Sequence, residues 1–485
     1  MDPIQPAFDL AIDLPAHGSR RVVQELHRQL RSAIVGGRLQ SGVRLPSTRE
    51  LAGALAVSRN TVVTAYDLLL AEGYIVAHGR AGTRIADFLF SPSRRDRPRA
   101  EPGRDARLSR AWRAPSFLIP IGLRGDCRFD FRVGIPDWES FPFALWRRLA
   151  ARALRAESRA RPGYGEAQGR LALREAIASH ISFARAIAST AEEIVVTAGA
   201  QQAFDLLARI LVTPGKTTVA VEEPGYAPLR NVLTAAGARI VSIPVDGEGL
   251  RVGRLPRTTK VICVTPSHQF PLGVHLSLAR RTALLDFARS HGAVIIEDDY
   301  DGEFRFAGKP LDALQTLDRS QSVFYVGTFS KSLFPALRVG FVIAPPWARD
   351  ALVAAKQVSD WHAPLAAQDT LAAFIAEGHL ARHVRKVRKL YGERREVLQD
   401  ALARFCGDRL RVVGIGAGLH LATYLSDSIS SATLIDKARE AGIAMDAMQR
   451  FSTARPKADG LVFGYGAITT HQIGDAIRRL ARLMN

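Results

Sequence analysis

Cysteine is nearly absent from this chain: three in 485 residues, at positions 127, 263 and 406. Residues so few and so far apart exclude a disulfide scaffold and a CxxC metal site, and they fit a reducing compartment. No apolar run approaches the ~18 residues that a membrane span needs. The first ten residues, MDPIQPAFDL, have neither a basic segment nor a continuous apolar core, so no secretory signal is expected and the expectation is a cytoplasmic protein. Lysine is scarce, with nine against 57 arginines, and acids are outnumbered 47 to 66, for a formal charge of +19. That excess suits a polyanionic partner, but an arginine bias also follows from base composition alone, so its location matters more than its sum. What is present is ordinary for a folded protein, 47% hydrophobic and 23% charged, with length for two or three domains of roughly 100–200 residues each.

Residues 19–87 read as one compact unit. An apolar helical pattern covers Val22 to Val35 and stops at Gly36-Gly37. In the following RLPSTRELAGALAVSRNTVVTAYDLLLAEGYI, Ser47 with Glu50 three residues on forms a capping box, and Ala56-Val57 makes a turn. Ser58 caps a second helix whose Val62, Tyr66 and Leu69 recur at helical spacing. Two short β-type runs then flank His78-Gly79-Arg80-Ala81-Gly82. Two helices, a tight turn and a hairpin make a winged helix-turn-helix, whose second helix enters the major groove of DNA. Its first turn, Ser58-Arg59-Asn60-Thr61, holds suitable chemistry: arginine donates twice to guanine, asparagine pairs with adenine, and hydroxyls at a helix start bind phosphate. Arg44, Arg49, His78 and Arg80 are placed for the DNA backbone. The stretch resembles the GntR family of bacterial repressors, with its LPSxRELAxxLxVSRxTVxxAYxxLxxEG signature. The resemblance places Arg49, Ser58, Arg59, Asn60, Thr61, His78 and Gly79 at DNA-contacting positions.

Residues 88–120 are rich in arginine and proline with little apolar periodicity, and read as a linker. From residue 121 to 485 short β-branched runs alternate with helical patterns: EIVVTAG, TTVAVEEPG, ARIVSIPV, KVICVTPS, AVIIEDD, SVFYVGTFS and RVGFVIA. Runs apolar on both faces and separated by helices predict a mostly parallel, doubly wound α/β sheet, followed by a small C-terminal α+β lobe.

Polar segments follow five of the predicted strands, and ligands bind at the carboxyl ends of strands in open α/β sheets. Residues scattered over 130 positions therefore converge on one crevice. Lys331, in GTFSK, suits a desolvated amine that forms a Schiff base with an aldehyde. Asp298, at the end of an apolar strand, suits a pyridinium partner, which keeps the ring an electron sink. Tyr300 suits the ring hydroxyl, and Tyr226, held by Pro-Gly, suits stacking on the ring face. Ala200 and Gln201, opening a helix after Gly199, offer backbone N–H groups to a phosphate, completed by Thr328, Ser330 and Arg338. Together these features describe a pocket for pyridoxal 5'-phosphate and no metal site.

These segments resemble fold-type I, class I aminotransferases. TPSHQFPLG, EDDYDGEF and GTFSKSLFPALRVGF are closer still to the MocR-type regulators, in which a GntR-like winged helix is fused to an aminotransferase-like domain. The resemblance implies that Lys331 is the Schiff-base lysine, that Asp298 meets the pyridine nitrogen, Tyr300 the ring hydroxyl and Arg338 the phosphate. It implies a place for Gln269 near the ring hydroxyl, and for Tyr164 at the phosphate of the other protomer of a homodimer. Arg450, with Arg455 as a rival, matches the arginine that grips an effector carboxylate. Where some members carry an arginine two residues after the stacking tyrosine, this chain has Pro228, with Arg230 nearest. The function implied is a DNA-binding transcriptional regulator that senses pyridoxal phosphate or an amine or amino-acid effector, without physiological turnover but with room for partial transamination. The alternative is an active aminotransferase with an accessory DNA-binding domain.

The positive charge is not concentrated in the DNA-reading unit: residues 1–90 carry a net +2, residues 94–113 a net +5 and the remainder +12. The linker therefore adds sequence-independent phosphate contacts. Replacing Arg94, Arg95, Arg97 and Arg99 with Gln should flatten the dependence of DNA affinity on salt concentration. An unchanged slope would refute that role.

Overall fold

The computed structural model describes residues 12–15, 21–79, 82–86, 107–113, 127–160, 163–306, 312–414, 416–426, 429–453 and 459–484. Arg80, Arg455 and most of the linker, including its four clustered arginines, lie outside the described residues. The chain divides into two units, 1–105 and 106–485.

In the smaller unit α1 spans Val22–Val35, α2 Thr48–Ala54 and α3 Arg59–Ala71, followed by β1, Ile75–Ala77, and β2, Thr83–Ile85. Each boundary has a local cause. Ser47 Oγ accepts from Glu50 N at 3.2 Å while the Glu50 carboxylate accepts from Ser47 N at 2.8 Å, so the capping box closes in both directions. Ala56 takes a left-handed conformation, φ 52°, and turns the chain between α2 and α3. Ser58 Oγ then accepts from Thr61 N at 3.1 Å. Leu26, Leu30, Leu51, Val62, Leu69, Ile75 and Ile85 are buried together, so the three helices and the hairpin share one core. Tyr66 lies in it with its hydroxyl donated to Pro46 O at 3.0 Å.

The larger unit is built on eight strands: β3 Ile194–Thr197, β4 Thr218–Glu223, β5 Arg239–Asp246, β6 Gly249–Leu250, β7 Thr259–Val264, β8 Val294–Asp299, β9 Val323–Thr328 and β10 Gly340–Ile343. Their order in the sheet is β3-β10-β9-β8-β7-β4-β5-β6. Every β-branched run picked out from the sequence is a strand here. The central pairs β9/β8, β8/β7, β7/β4 and β4/β5 are parallel, whereas β10 runs antiparallel to both β9 and β3, so the sheet is mixed. A run apolar on both faces carries no mark of its direction, which is why the sequence does not distinguish β10 from its neighbours. Separate apolar clusters cover the sheet, one containing Phe204, Leu207 and Val326, another Ile262, Leu284 and Ile295.

The C-terminal lobe is a four-stranded antiparallel sheet, β11 Leu410–Val413, β12 His420–Leu425, β13 Asp446–Ala447 and β14 Gly460–Gly464, in the order β11-β12-β14-β13. Residues 107–113 of the expected linker include a 3-10 turn, Arg110–Trp112. Among the described residues no helix is long and apolar enough to cross a membrane.

Because the capping box ties Glu50 to the start of α2, Ser47→Ala should cost about 1 kcal/mol locally. Amide protection across residues 48–54 should then fall by about fivefold in hydrogen exchange of the full chain, and unchanged protection would contradict the assignment.

Candidate functional site

In the smaller unit the predicted DNA-contacting residues are all open to solvent, wholly or in part. Arg44, Arg49, Ser58, Arg59, Asn60, His78 and Gly79 are exposed and Thr61 is partly so. The opposite side of α3, carrying Val62, Ala65, Tyr66 and Leu69, is buried. Ser58 and Thr61 share a hydroxyl–hydroxyl bond of 2.8 Å, and Arg59 Nε lies 3.4 Å from Thr48 Oγ1, which holds the arginine across the turn between α2 and α3.

In the larger unit the pocket forms where strand ends meet. At the end of β8 successive side chains leave on opposite faces. Asp299 forms an ion pair with Arg185 at 2.6 Å and accepts from the Tyr325 hydroxyl at 2.5 Å. Asp298 is buried, and its Oδ1 has no hydrogen-bond partner among the described residues. Burial, reinforced by the neighbouring carboxylates of Asp299, Asp301 and Glu222 and opposed by Lys331, pushes its carboxyl well above the usual range. A buried carboxylate with a free oxygen is the observation that a pyridine nitrogen fits, because a protonated ring nitrogen supplies both the hydrogen bond and the charge.

Lys331 follows β9 and donates its ammonium to Gly134 O at 2.8 Å. Burial lowers its affinity for a proton, while Asp301 and Asp298 pull the other way and Arg338 adds to the lowering. This is the environment in which a lysine gives up a proton and becomes nucleophilic. Tyr226 caps the helix Ala227–Ala235 and packs edge-on against Phe270, with ring centroids 5.6 Å apart. Burial pushes its phenol up to about 12, so it stays protonated beside the pocket.

The phosphate end is equally well defined. The helix Ala200–Leu211 starts at Gly199 without a side-chain cap, leaving first-turn N–H groups open to an anion. Arg338 lies against that start and donates to Ala198 O at 2.7 Å. Thr328 Oγ1 donates to Ser330 Oγ at 3.1 Å and accepts from Ser330 N at 3.2 Å, so the two hydroxyl groups form one turn. Gly199 has φ +77°, a conformation other residues rarely adopt, and a Cβ there would lie 2.9 Å from Arg338 Nη2, so a side chain would strain the turn and shift the guanidinium. Gln201 sits exposed on the helix, with its amide directed at Pro228 O at 3.5 Å.

Other expected residues have different roles or lie at the edge. The Gln269 amide is committed to its own loops: Nε2 donates to Pro224 O at 2.9 Å and Phe270 O at 2.7 Å, and Oε1 accepts from Leu272 N at 3.1 Å. The residue before it, His268, takes the position beside Tyr300, with Nδ1 2.9 Å from the tyrosine hydroxyl. Tyr164 lies on the surface, its ring tilted at 40° to that of Trp361 with centroids 4.5 Å apart. Arg450 pairs with the buried Asp446, which also accepts from Val133 N at 3.2 Å beside the carbonyl that holds Lys331. Arg230 pairs with Glu223 at 3.9 Å. No sequence pattern marks Gln202, which braces the loop before the helix Ala200–Leu211 from behind. Its Oε1 accepts from Ala198 N at 2.8 Å and its Nε2 donates to Asp360 at 2.7 Å, itself paired with the buried Lys356.

A desolvated lysine, a buried carboxylate with an open oxygen and an uncapped helix start with an arginine suit a pyridoxal-phosphate domain of aminotransferase type, in a chain that also has a winged helix. Comparison with known proteins agrees. Residues 130–479 match aminotransferase class I and II, and residues 22–85 match the bacterial regulatory proteins of the gntR family. The probable rhizopine catabolism regulatory protein MocR of Rhizobium meliloti is 35% identical over 98% of this chain and 94% of its own. The pyridoxine biosynthesis transcriptional regulator PdxR of Corynebacterium glutamicum is 33% identical over 95% of each chain. The kynurenine aminotransferase of Pyrococcus horikoshii superposes with a TM-score of 0.69 at 27% identity, over 74% of this chain and 91% of its own. The chain belongs to the MocR-type family of GntR regulators, in which the winged helix precedes an aminotransferase-like domain.

Pyridoxal phosphate supplies an aldehyde for the lysine and a ring that withdraws electrons. Lys331, Asp298, Tyr300, Tyr226, Arg338 and the start of the helix Ala200–Leu211 are the groups that would hold it. Gly199→Ala should weaken its binding at least tenfold, read by absorbance titration, because the new methyl group displaces Arg338. Undiminished affinity would show that the arginine does not hold the phosphate.

Proposed function

We propose that this protein is a homodimeric, cytoplasmic transcriptional regulator that reads pyridoxal phosphate, or an amine or amino acid reacting with it, and converts occupancy of the pocket into a change in DNA affinity. The observation that carries the reading is the coexistence, in one chain, of a complete lysine–aspartate–tyrosine set with an exposed α3 whose first turn is Ser58-Arg59-Asn60-Thr61. Neither half needs the other for its own chemistry. Their fusion makes sense where the state of one biases the other.

On the DNA side, Arg59 and Asn60 read base edges, whereas Arg44, Arg49, Ser58, Thr61, His78 and the backbone at Gly79 fix the register on phosphates. On the ligand side, Lys331 makes the covalent link and Arg338 anchors the phosphate. Thr328, Ser330 and the backbone of Ala200 and Gln201 close the phosphate site. Tyr164 projects outward beside Trp361, as a residue would that completes the pocket of a second copy. Arg450 stands at the pocket rim, because the next residue's carbonyl, Phe451 O, accepts from Gly225 N at 3.0 Å beside Tyr226. There it is suited to receive an effector carboxylate in exchange for Asp446. Any ligand shifts the dimer only by its differential affinity for the two states.

Fluorescence anisotropy with the protein's own upstream DNA tests this reading. Arg59→Ala should weaken specific binding by about 1–3 kcal/mol, or roughly 5- to 150-fold, with little effect on non-specific binding. Lys331→Ala should abolish the visible absorption of bound pyridoxal phosphate and make DNA affinity indifferent to added cofactor. Absence of specific binding in every state, or an undiminished cofactor response in Lys331→Ala, would overturn the proposal.

A further inference from the structure

Behind Tyr300 lies a buried polar chain that the cofactor site itself does not require. His268 and Asp301 are 3% and 2% exposed, and His268 Nδ1 is 2.9 Å from Asp301 Oδ2. The same Nδ1 is 2.9 Å from the Tyr300 hydroxyl, which also donates to His268 O at 3.0 Å. His268 Nε2 is buried and has no partner among the described residues. The pair is closely enclosed: Gly418 has φ +77°, and a Cβ there would overlap the imidazole and lie 2.6 Å from Asp301 Oδ2. The ring of His420, from β12, lies 4.7 Å from that of His268 on another side.

We propose that Asp301 and His268 are positioning residues that make Tyr300 a hydrogen-bond donor toward the ring oxygen of pyridoxal phosphate. The inference rests on the assignment of Tyr300 to that oxygen. A carboxylate beside Nδ1 selects the tautomer that carries its proton there, because that N–H is a charge-assisted donor to Asp301. Nδ1 is then unable to accept from Tyr300. It can at most share that proton with the phenolic oxygen, so the hydroxyl proton is left with two acceptors, His268 O and the cofactor. The opposite tautomer reverses this: Nδ1 becomes an acceptor and draws the tyrosine proton away from the pocket. Burial holds the Tyr300 phenol well above its ordinary range, which keeps the proton available. Burial also leaves the neighbouring His420 neutral by lowering its affinity for a proton.

The measurement is the pH midpoint of the visible absorption change of the purified protein loaded with pyridoxal phosphate. Asp298, Asp301, Glu222 and Tyr465 are the charged or titratable groups acting on Tyr300; His268 contacts it, and His420 and Lys331 lie close by. All but the substituted group are common to the proteins compared. A donor to the ring oxygen stabilises its negative form, so Tyr300→Phe should raise the midpoint by about one pH unit. Asp301→Asn leaves volume unchanged but removes the charge that selects the tautomer, and should raise the midpoint in the same direction. The double variant should shift no further than Tyr300→Phe alone. A midpoint unchanged in Asp301→Asn while Tyr300→Phe moves it would overturn the inference and leave the cofactor site intact. No shift in Tyr300→Phe would instead overturn the tyrosine's assignment. Long-range proton–nitrogen correlation on histidine-labelled wild-type protein gives an independent reading without a variant. It should show His268 protonated at Nδ1 and bare at Nε2, and the reverse pattern would refute the proposal.

Discussion

Asp298 is held in a buried site with one carboxylate oxygen lacking a partner among the described residues, and three more carboxyl groups, those of Glu222, Asp299 and Asp301, press on it electrostatically. Taking a carboxylate out of water without compensation costs several kcal/mol. The fold handles its neighbours separately. Asp299 receives Arg185 and Tyr325, Asp301 receives His268, and Glu222 receives the Thr265 backbone and hydroxyl. Among the described residues Asp299 keeps one open oxygen behind that pair, whereas no side-chain donor is directed at Asp298, which leaves it for a ligand. A cationic ring nitrogen would resolve that imbalance, which ties the ligand's chemistry to the electrostatics of the protein. Lys331 would supply the amine for the aldehyde, and the open start of the helix Ala200–Leu211 would hold the phosphate.

The arrangement also shows why so many elements are needed for one small site. β8 supplies Asp298 and the turn after it Tyr300, β9 leads to Thr328, Ser330 and Lys331, and the loop after β4 brings Tyr226. The C-terminal lobe closes the rim through Phe451 O to Gly225 and through Thr453 to Glu223 at 2.9 Å. A ligand that pulls on Arg450 therefore acts on a segment hydrogen-bonded to the loop of the stacking tyrosine. That would be a short physical route from an effector's carboxylate to the position of a lobe.

Much of this was legible in the sequence because its signals are local. The capping box at Ser47 and Glu50, the turn at Ala56 and the spacing of Val62, Tyr66 and Leu69 each act within a few residues, and the small unit follows from them. The strand-end segments were legible for a different reason: the topology of a parallel sheet brings carboxyl ends together whatever the intervening chain does. The antiparallel direction of β10 was not legible, since it depends on which neighbours accept its edges. Nor was the choice between His268 and Gln269, adjacent on an irregular loop where no period tells which side chain faces the pocket. Gln202 depends on Asp360, 158 residues away, and no local pattern encodes such a pairing. Charge was the weakest guide, because most of it lies outside the unit that reads DNA.

The central claim is that occupancy of the pocket and DNA binding are coupled, and thermodynamics requires that coupling to be reciprocal. The most direct measurement is the affinity of the full-length protein for pyridoxal phosphate, or for an amine effector on the loaded protein, with and without saturating operator DNA. DNA should change this affinity by the same factor by which the ligand changes the affinity for DNA. Ligand affinities unaltered by DNA, for the cofactor and for every effector that binds, would contradict it.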